Sequence, residues 1–198
     1  MSGNEPLKGW LAIPGVQRGE RTLAEQMMGL EPALAECAGK TVIDFGCAEG
    51  LIGIEFAKHR AHVLGFELQD RFVKTANEQA QLAGIASRCG FVGYDLAGFV
   101  NPEVPEDFKV FWKGQADIVL ALAIVHKLPD PGTALANMAS LARQRLVLRL
   151  PIGSTGVIPY KQNRSVSCDS RQILPAAGMR LEQVCDGPRG ELVQHWVR

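Results

Sequence analysis

The stretch that constrains the fold most is Thr41-Val42-Ile43-Asp44-Phe45-Gly46-Cys47-Ala48-Glu49-Gly50. An apolar run ends near an acid, turns through glycines, and continues into a segment of helical character, Leu51 to His59. Strand, tight loop and helix start in that order gather free backbone N–H groups beside a surface that a ligand can approach closely. Small residues at Gly46, Ala48 and Gly50 keep side chains out of the way, so a nucleotide-like ligand is expected on the loop. A pyrophosphate-binding loop would read G-x-G-x-x-G, with no carboxylate facing the phosphates. No such pattern occurs, and Asp44 stands two residues before the first glycine, which favours a ligand carrying an ammonium group.

A second apolar run, His62-Val63-Leu64-Gly65-Phe66-Glu67, ends in another carboxylate, suited to accept two hydrogen bonds from a ribose diol. With these residues the sequence resembles the class I S-adenosylmethionine-dependent methyltransferases, whose first motif reads roughly D/E-x-G-x-G-x-G. Here the motif is Asp44-x-Gly46-x-Ala48-x-Gly50, with alanine for the middle glycine. The resemblance covers roughly residues 40–150. It implies a seven-stranded, doubly wound, mostly parallel α/β sheet with a C-terminal antiparallel hairpin, binding S-adenosyl-L-methionine and releasing S-adenosyl-L-homocysteine. It assigns the cofactor to Asp44, Phe45, Gly46, Cys47, Ala48 and Gly50, to Glu67 and Leu68, to Ala121, and to Asp95 and Leu96, the last pair beside the adenine.

Size and charge narrow the remaining classes. With 198 residues, 46% hydrophobic and 21% charged, the chain is long enough for one sizeable core, read as residues 40–198 behind an N-terminal arm and helical lead-in over 1–39. Lys plus Arg and Asp plus Glu both number 21, so no global field points to a polyanion. The balance is uneven, however: nine of the basic residues and four of the acidic ones lie after residue 139, a basic C-terminal third. Five cysteines form no C-x-x-C pair and read as reduced thiols of a cytoplasmic protein. No metal site is read from the sequence. The longest apolar run, Ile118 to Val125, is too short to cross a bilayer, and no signal segment is expected.

Along the chain, residues 1–19 show no strong period. Leu23, Met27 and Leu30 fall on one face of a helix expected over 21–30, and Pro32 opens a short second helix ended by Gly39. Asp70 caps a stripe of Phe72, Val73, Ala76, Ala80 and Leu82 closed by Gly84. Strands are expected over Cys89–Tyr94, Asp117–Leu122 and Arg145–Leu150, with a loop over 97–114 holding at most a short helix near 108–112. Pro131 opens a helix carrying Leu135, Met138 and Ala139. A helix is expected over Ser170–Ala177, and Met179–Cys185 with Glu191–Val197 form the hairpin.

The strand exit Ala123-Ile124-Val125-His126-Lys127-Leu128-Pro129-Asp130-Pro131 is similar to that of small-molecule methyltransferases acting on quinone precursors, often V-L-H-H-L-x-D-P. His126 matches one of the two histidines, and Lys127 replaces the other. His126 is the candidate catalytic base for a hydroxyl acceptor, or else a structural histidine bonding the loop. The aspartate- or asparagine-Pro-Pro-aromatic pattern of base N-methylation and the Pro-Cys nucleophile of cytosine C5 chemistry are both missing here. The polar loop Ser154–Ser165 should border the acceptor, with Tyr160, Lys161 and Arg164 as candidate substrate-binding residues. The reading is methyl transfer to a small-molecule acceptor, with no membrane and an unassigned oligomeric state. RNA as acceptor and a non-catalytic, cofactor-binding partner subunit remain as alternatives, and a nicotinamide-dependent dehydrogenase is weakest.

Overall fold

A computed structural model describes residues 8–13, 16–98, 115–163 and 165–198. The expected short helix near 108–112 and the candidate Arg164 lie outside the described residues.

The core is a single seven-stranded sheet. Five parallel strands, β3 (Thr41–Phe45), β4 (His62–Glu67), β5 (Cys89–Gly93), β6 (Ala116–Leu122) and β7 (Ala142–Leu150), are followed by β10 (Arg180–Asp186) and β11 (Leu192–Val197). The spatial order is β5-β4-β3-β6-β7-β11-β10, and β11 runs antiparallel to both β7 and β10. The chain therefore winds outward from β3 through α3 (Leu51–Lys58) and α4 (Asp70–Leu82) to β5, then returns to the far side of β3 with β6. The reversal leaves a crevice at the carboxyl ends of β3 and β6, where open α/β sheets take ligands.

Both faces are covered. On one, Phe45, Phe66, Val119, Leu146 and Leu148 pack under α5 (Pro131–Leu141) and Leu174 of α6 (Ser170–Ala176). On the other, Val42, Val63, Ile118, Leu120 and Val147 pack under α3, α4 and α2 (Glu31–Ala35). Phe45, Phe56 and Phe66 are fully buried, each contributing about 1.5–3 kcal/mol of apolar burial. Side chains fix the register at the ends. Asp117 accepts from the Thr41 amide and hydroxyl, both at 2.9 Å, and the Asn77 amide group clips α4 to both backbone groups of Phe91.

The N-terminal region departs most from expectation. Instead of an arm and a helix over 21–30, β1 (Lys8–Leu11) pairs in parallel with β2 (Arg18–Arg21), and α1 covers only Leu23–Met27. Thr22 and Glu25 form a reciprocal capping box that starts the helix at Leu23. The helix ends before Gly29, whose φ of 78° allows a turn that other residues resist. Two further strands make a small antiparallel ribbon: β8 (Val157–Pro159), inside the stretch expected to be a polar loop, and β9 (Ser167–Asp169), just after it. Among the described residues no helix is long and apolar enough to cross a membrane.

Candidate functional site

The loop after β3 is shaped by its own backbone. Gly46 and Cys47 both donate to the Phe66 carbonyl, at 2.8 and 3.1 Å, tying the loop to the end of β4. Ala48 donates to Glu67 Oε2 at 3.0 Å, and the Gln69 amide donates to Oε1 at 3.0 Å. Glu67 is thus held by one backbone donor on each oxygen, and each oxygen keeps a second lone pair. Ala48 has φ 48° and Ala123 has φ 55°, left-handed conformations that cost an L-residue about 1 kcal/mol or more. Both residues line the same cavity.

That cavity has a volume of about 540 Å³ and lies at the carboxyl ends of β3 to β6. Of the residues expected to bind the cofactor, Gly46, Ala48, Glu67, Leu68, Asp95 and Leu96 line it, together with Gln69, Phe72, Tyr94 and the turn Leu122–Ile124. The Asp95 carboxylate accepts from the Ala97 amide at 2.8 Å, which caps the 3-10 turn Leu96–Gly98 and fixes this wall.

Five other candidates support the wall from behind. Phe45 is buried and stacks on Phe66 at 5.5 Å, and Ala121 is buried within β6, one residue before the turn that lines the cavity. Cys47 packs into the opposite core layer. At Gly50, φ is 73° and an added Cβ would meet Phe91 and Ala76 at 2.6 and 2.7 Å. Its lack of a side chain serves close helix packing rather than ligand approach. Asp44 is 2% exposed, and its Oδ2 has no hydrogen-bond partner. Burial raises its pKa to about 7, against the lowering pull of Arg149, with Glu67 adding to the rise.

His126 does not line the cavity. It sits in the 3-10 turn Val125–Lys127, where its backbone carbonyl accepts from the Lys161 amide at 2.6 Å. Burial, helped by the charges of Lys127 and Lys161, lowers its pKa to about 4, so the ring is neutral and a weak base. Lys161 meets this turn through its main chain, and the Tyr160 hydroxyl bonds Gln162 at 2.7 Å; neither side chain lines the cavity.

The opposite wall was not legible as a site. Gly9, Trp10, Glu20, Arg21 and Gln26 line it, with Lys127 and Leu128 beside them. Glu49, fully buried, clamps this region to the loop by accepting from the Trp10 amide at 2.6 Å, the Leu11 amide at 3.2 Å and Gln17 Nε2 at 2.7 Å. Beneath it, Arg149 bonds the Gln26 side chain at 2.8 Å and its carbonyl at 2.5 Å, while Arg21 and Glu191 form a two-pronged pair at 2.9 and 3.1 Å. Gln26 Nε2 remains buried without a hydrogen-bond partner, and Arg149 Nε, likewise without one, faces Glu191 Oε2 at 3.8 Å. Glu49, inside the motif yet filling a variable position, was the one clue available.

The profile of the methyltransferase domain family matches residues 43–145. This chain belongs to that family. The methyltransferase match runs from the first motif through the strand exit, and so takes in the motif wall of the cavity but not Gly9, Trp10, Glu20, Arg21 and Gln26. Ubiquinone biosynthesis O-methyltransferase of Thiobacillus denitrificans is 28% identical over 109 residues, 55% of this chain and 42% of that protein. Ribosomal protein L11 methyltransferase of Aeromonas salmonicida is 28% identical over 119 residues, 55% of this chain and 36% of that protein. The matched region thus spans less than half the length of these curated relatives. Magnesium protoporphyrin IX methyltransferase from Synechocystis PCC 6803, solved with bound SAH, superposes with a TM-score of 0.64 at 20% identity, over 85% of this chain and 81% of that one. That likeness establishes the class I methyltransferase fold of the chain.

Proposed function

We propose that this methyltransferase binds S-adenosyl-L-methionine in the 540 Å³ cavity and methylates a small-molecule acceptor. The observation that carries the reading is the set of polar groups left for a ligand. Glu67 offers free lone pairs at the cavity wall, while Asp44 Oδ2 and Gln26 Nε2 are buried without partners. A ribose diol would answer Glu67, an ammonium Asp44 and a carboxylate Gln26, and one nucleoside-linked amino acid carries all three.

When bound, this cofactor supplies an electrophilic sulfonium methyl. The protein's part is binding and alignment. Glu67 would orient the ribose, Asp95 and Leu96 would border the base, Asp44 would answer the ammonium from behind the wall, and the Leu122–Ile124 turn with Trp10 would shield the reacting centre from water. His126 is assigned to the turn rather than to proton transfer, because it is neutral and off the cavity.

RNA recognition through the basic C-terminal third has less support than the sequence offered. Arg145 pairs with Glu36 and Glu182, Arg143 with Asp117, Arg171 with Asp169, and Arg189 with Glu25, while Arg198 bonds three backbone carbonyls. The charge is largely taken up internally, leaving less for phosphates. All five cysteines are unpaired, in keeping with a reducing cytoplasm.

The test is transfer of labelled methyl from S-adenosylmethionine into a cell extract separated by size. Label in the small-molecule fraction supports the reading; label confined to RNA or protein, or none at all, contradicts it.

A further inference from the structure

Trp10, Arg21 and Lys127 come from three separate places in the chain and meet on one wall of the cavity. The Arg21 guanidinium carbon is 5.1 Å from the Trp10 ring centroid, and Lys127 Nζ is 5.4 Å from it. The two cations differ in what answers their charge. Arg21 is gripped by both oxygens of Glu191, at 2.9 and 3.1 Å, in a pair with side chains only 10% and 7% exposed. Lys127 is exposed as a whole, yet partial burial of its ammonium, with Lys161 and Arg21 nearby, lowers its pKa against the pull of Glu67 and Glu191; among the described residues no carboxylate stands at ion-pair distance from it. Its ammonium lies over the Trp10 ring, a weak partner beside a carboxylate.

The surroundings of Lys127 fix the rest of the chemistry. Ile124 and Leu128 line the same cavity and, with the indole of Trp10, give it an apolar stretch. Neighbouring His126 is uncharged and outside the cavity, so it adds no second positive centre. Glu49 holds the Trp10 backbone amide at 2.6 Å, so the wall bearing the indole is fixed and not merely draped. One point cation in a cavity with an apolar stretch suits a ligand with one anionic group on an apolar body.

We propose that Lys127 and Trp10 form the acceptor subsite, and that the acceptor is a small carboxylate-bearing molecule of ring size. Its carboxylate pairs with Lys127 Nζ, and its apolar body lies against Trp10, Ile124 and Leu128. The proposal rests on the cofactor reading above, and its test separates the two.

Wild-type protein saturated with S-adenosylhomocysteine is titrated calorimetrically with benzoate, 4-hydroxybenzoate and 3,4-dihydroxybenzoate, and with the methyl ester of each. The acids should bind at least about tenfold more tightly than the esters. Lys127→Met should bring the acids down to the affinity of the esters, Lys127→Arg should keep most of the difference, and both variants should bind S-adenosylhomocysteine within about twofold of wild type. Equal binding of acids and esters, or no binding of any acid, overturns the subsite. So does a Lys127→Met variant that loses affinity for S-adenosylhomocysteine itself, because Lys127 would then hold the cofactor's carboxylate. Wild type that fails to bind S-adenosylhomocysteine overturns the cofactor reading, and this one with it.

Discussion

The two walls of the cavity are built in opposite ways. The wall from β3 to β5 comes from a short stretch of sequence in which backbone does most of the work: Gly46 and Cys47 on the Phe66 carbonyl, Ala48 and Gln69 on Glu67. The facing wall is assembled by side chains from far apart, with Glu49 reaching Trp10, Arg149 reaching Gln26, and Arg21 reaching Glu191. Backbone geometry depends on local residue types and repeats wherever the loop repeats. A network of side-chain pairs drawn from distant positions carries no such local signature.

The sharpest way to break this contrast is Glu67→Ala. It removes the acceptor of two backbone donors and of the expected ribose hydroxyls, charge-assisted bonds worth about 1.5–3 kcal/mol each. Affinity for S-adenosylhomocysteine should fall roughly a hundredfold or more by calorimetry. A folded variant with unchanged affinity would show that the motif wall does not hold the ribose.

Glu49→Ala attacks the other wall. Three donors lose one buried carboxylate, at a cost of about 2–4 kcal/mol, and the loss should be local to β1 and β2. Amide hydrogen exchange at Trp10 and Leu11 should rise strongly while β3, β4 and β6 stay protected. Uniform acceleration across the sheet would mean that the two walls are one cooperative unit.

This contrast also sets what could be read beforehand. The parallel strands, the terminal hairpin, and Glu67 and Gly46 follow from local pattern, because an apolar run and a glycine turn fix themselves; Asp95 follows only from the family resemblance. The lead-in was misread because Leu23, Met27 and Leu30 keep helical spacing, although the Thr22–Glu25 capping box and Gly29 confine α1 to five residues. Trp10, Arg21, Gln26 and Lys127 carry no local signature. They become a wall only when the chain winds back on itself, and in the sequence Lys127 stands out only as the replacement of a histidine.

A smaller effect concerns Asp44, the buried acid beneath the motif wall. Because its pKa is raised to about 7, the empty protein gains a stability contribution from protonated Asp44 that is complete below the ordinary carboxylate range and is lost as pH rises towards 7. An ammonium-bearing ligand needs the ionised form. Its affinity should therefore climb by up to about tenfold per unit as pH rises to near 7, and then level off. In Asp44→Asn the climb should vanish, and above pH 7 the empty variant should melt higher than wild type. A slope that survives the substitution would assign the titration to another group.

The smallest expected change is Ala48→Gly, which restores the middle glycine of the motif. Relief of the left-handed strain at φ 48° should outweigh the added backbone freedom of the unfolded chain and raise stability by up to about 1 kcal/mol, with ligand affinity within about twofold. Thermal unfolding reads the first quantity and calorimetry the second. A loss of stability would mean that the loop carries no strain worth relieving.

The central claim is that the cavity takes S-adenosylmethionine through polar groups on both walls. The most direct measurement is a thermal-shift comparison of wild-type protein with saturating S-adenosylmethionine, S-adenosylhomocysteine, NAD and NADP. The structure predicts a rise in Tm with the first two and none with the nicotinamide nucleotides; a rise with NAD or NADP and none with S-adenosylmethionine would contradict it.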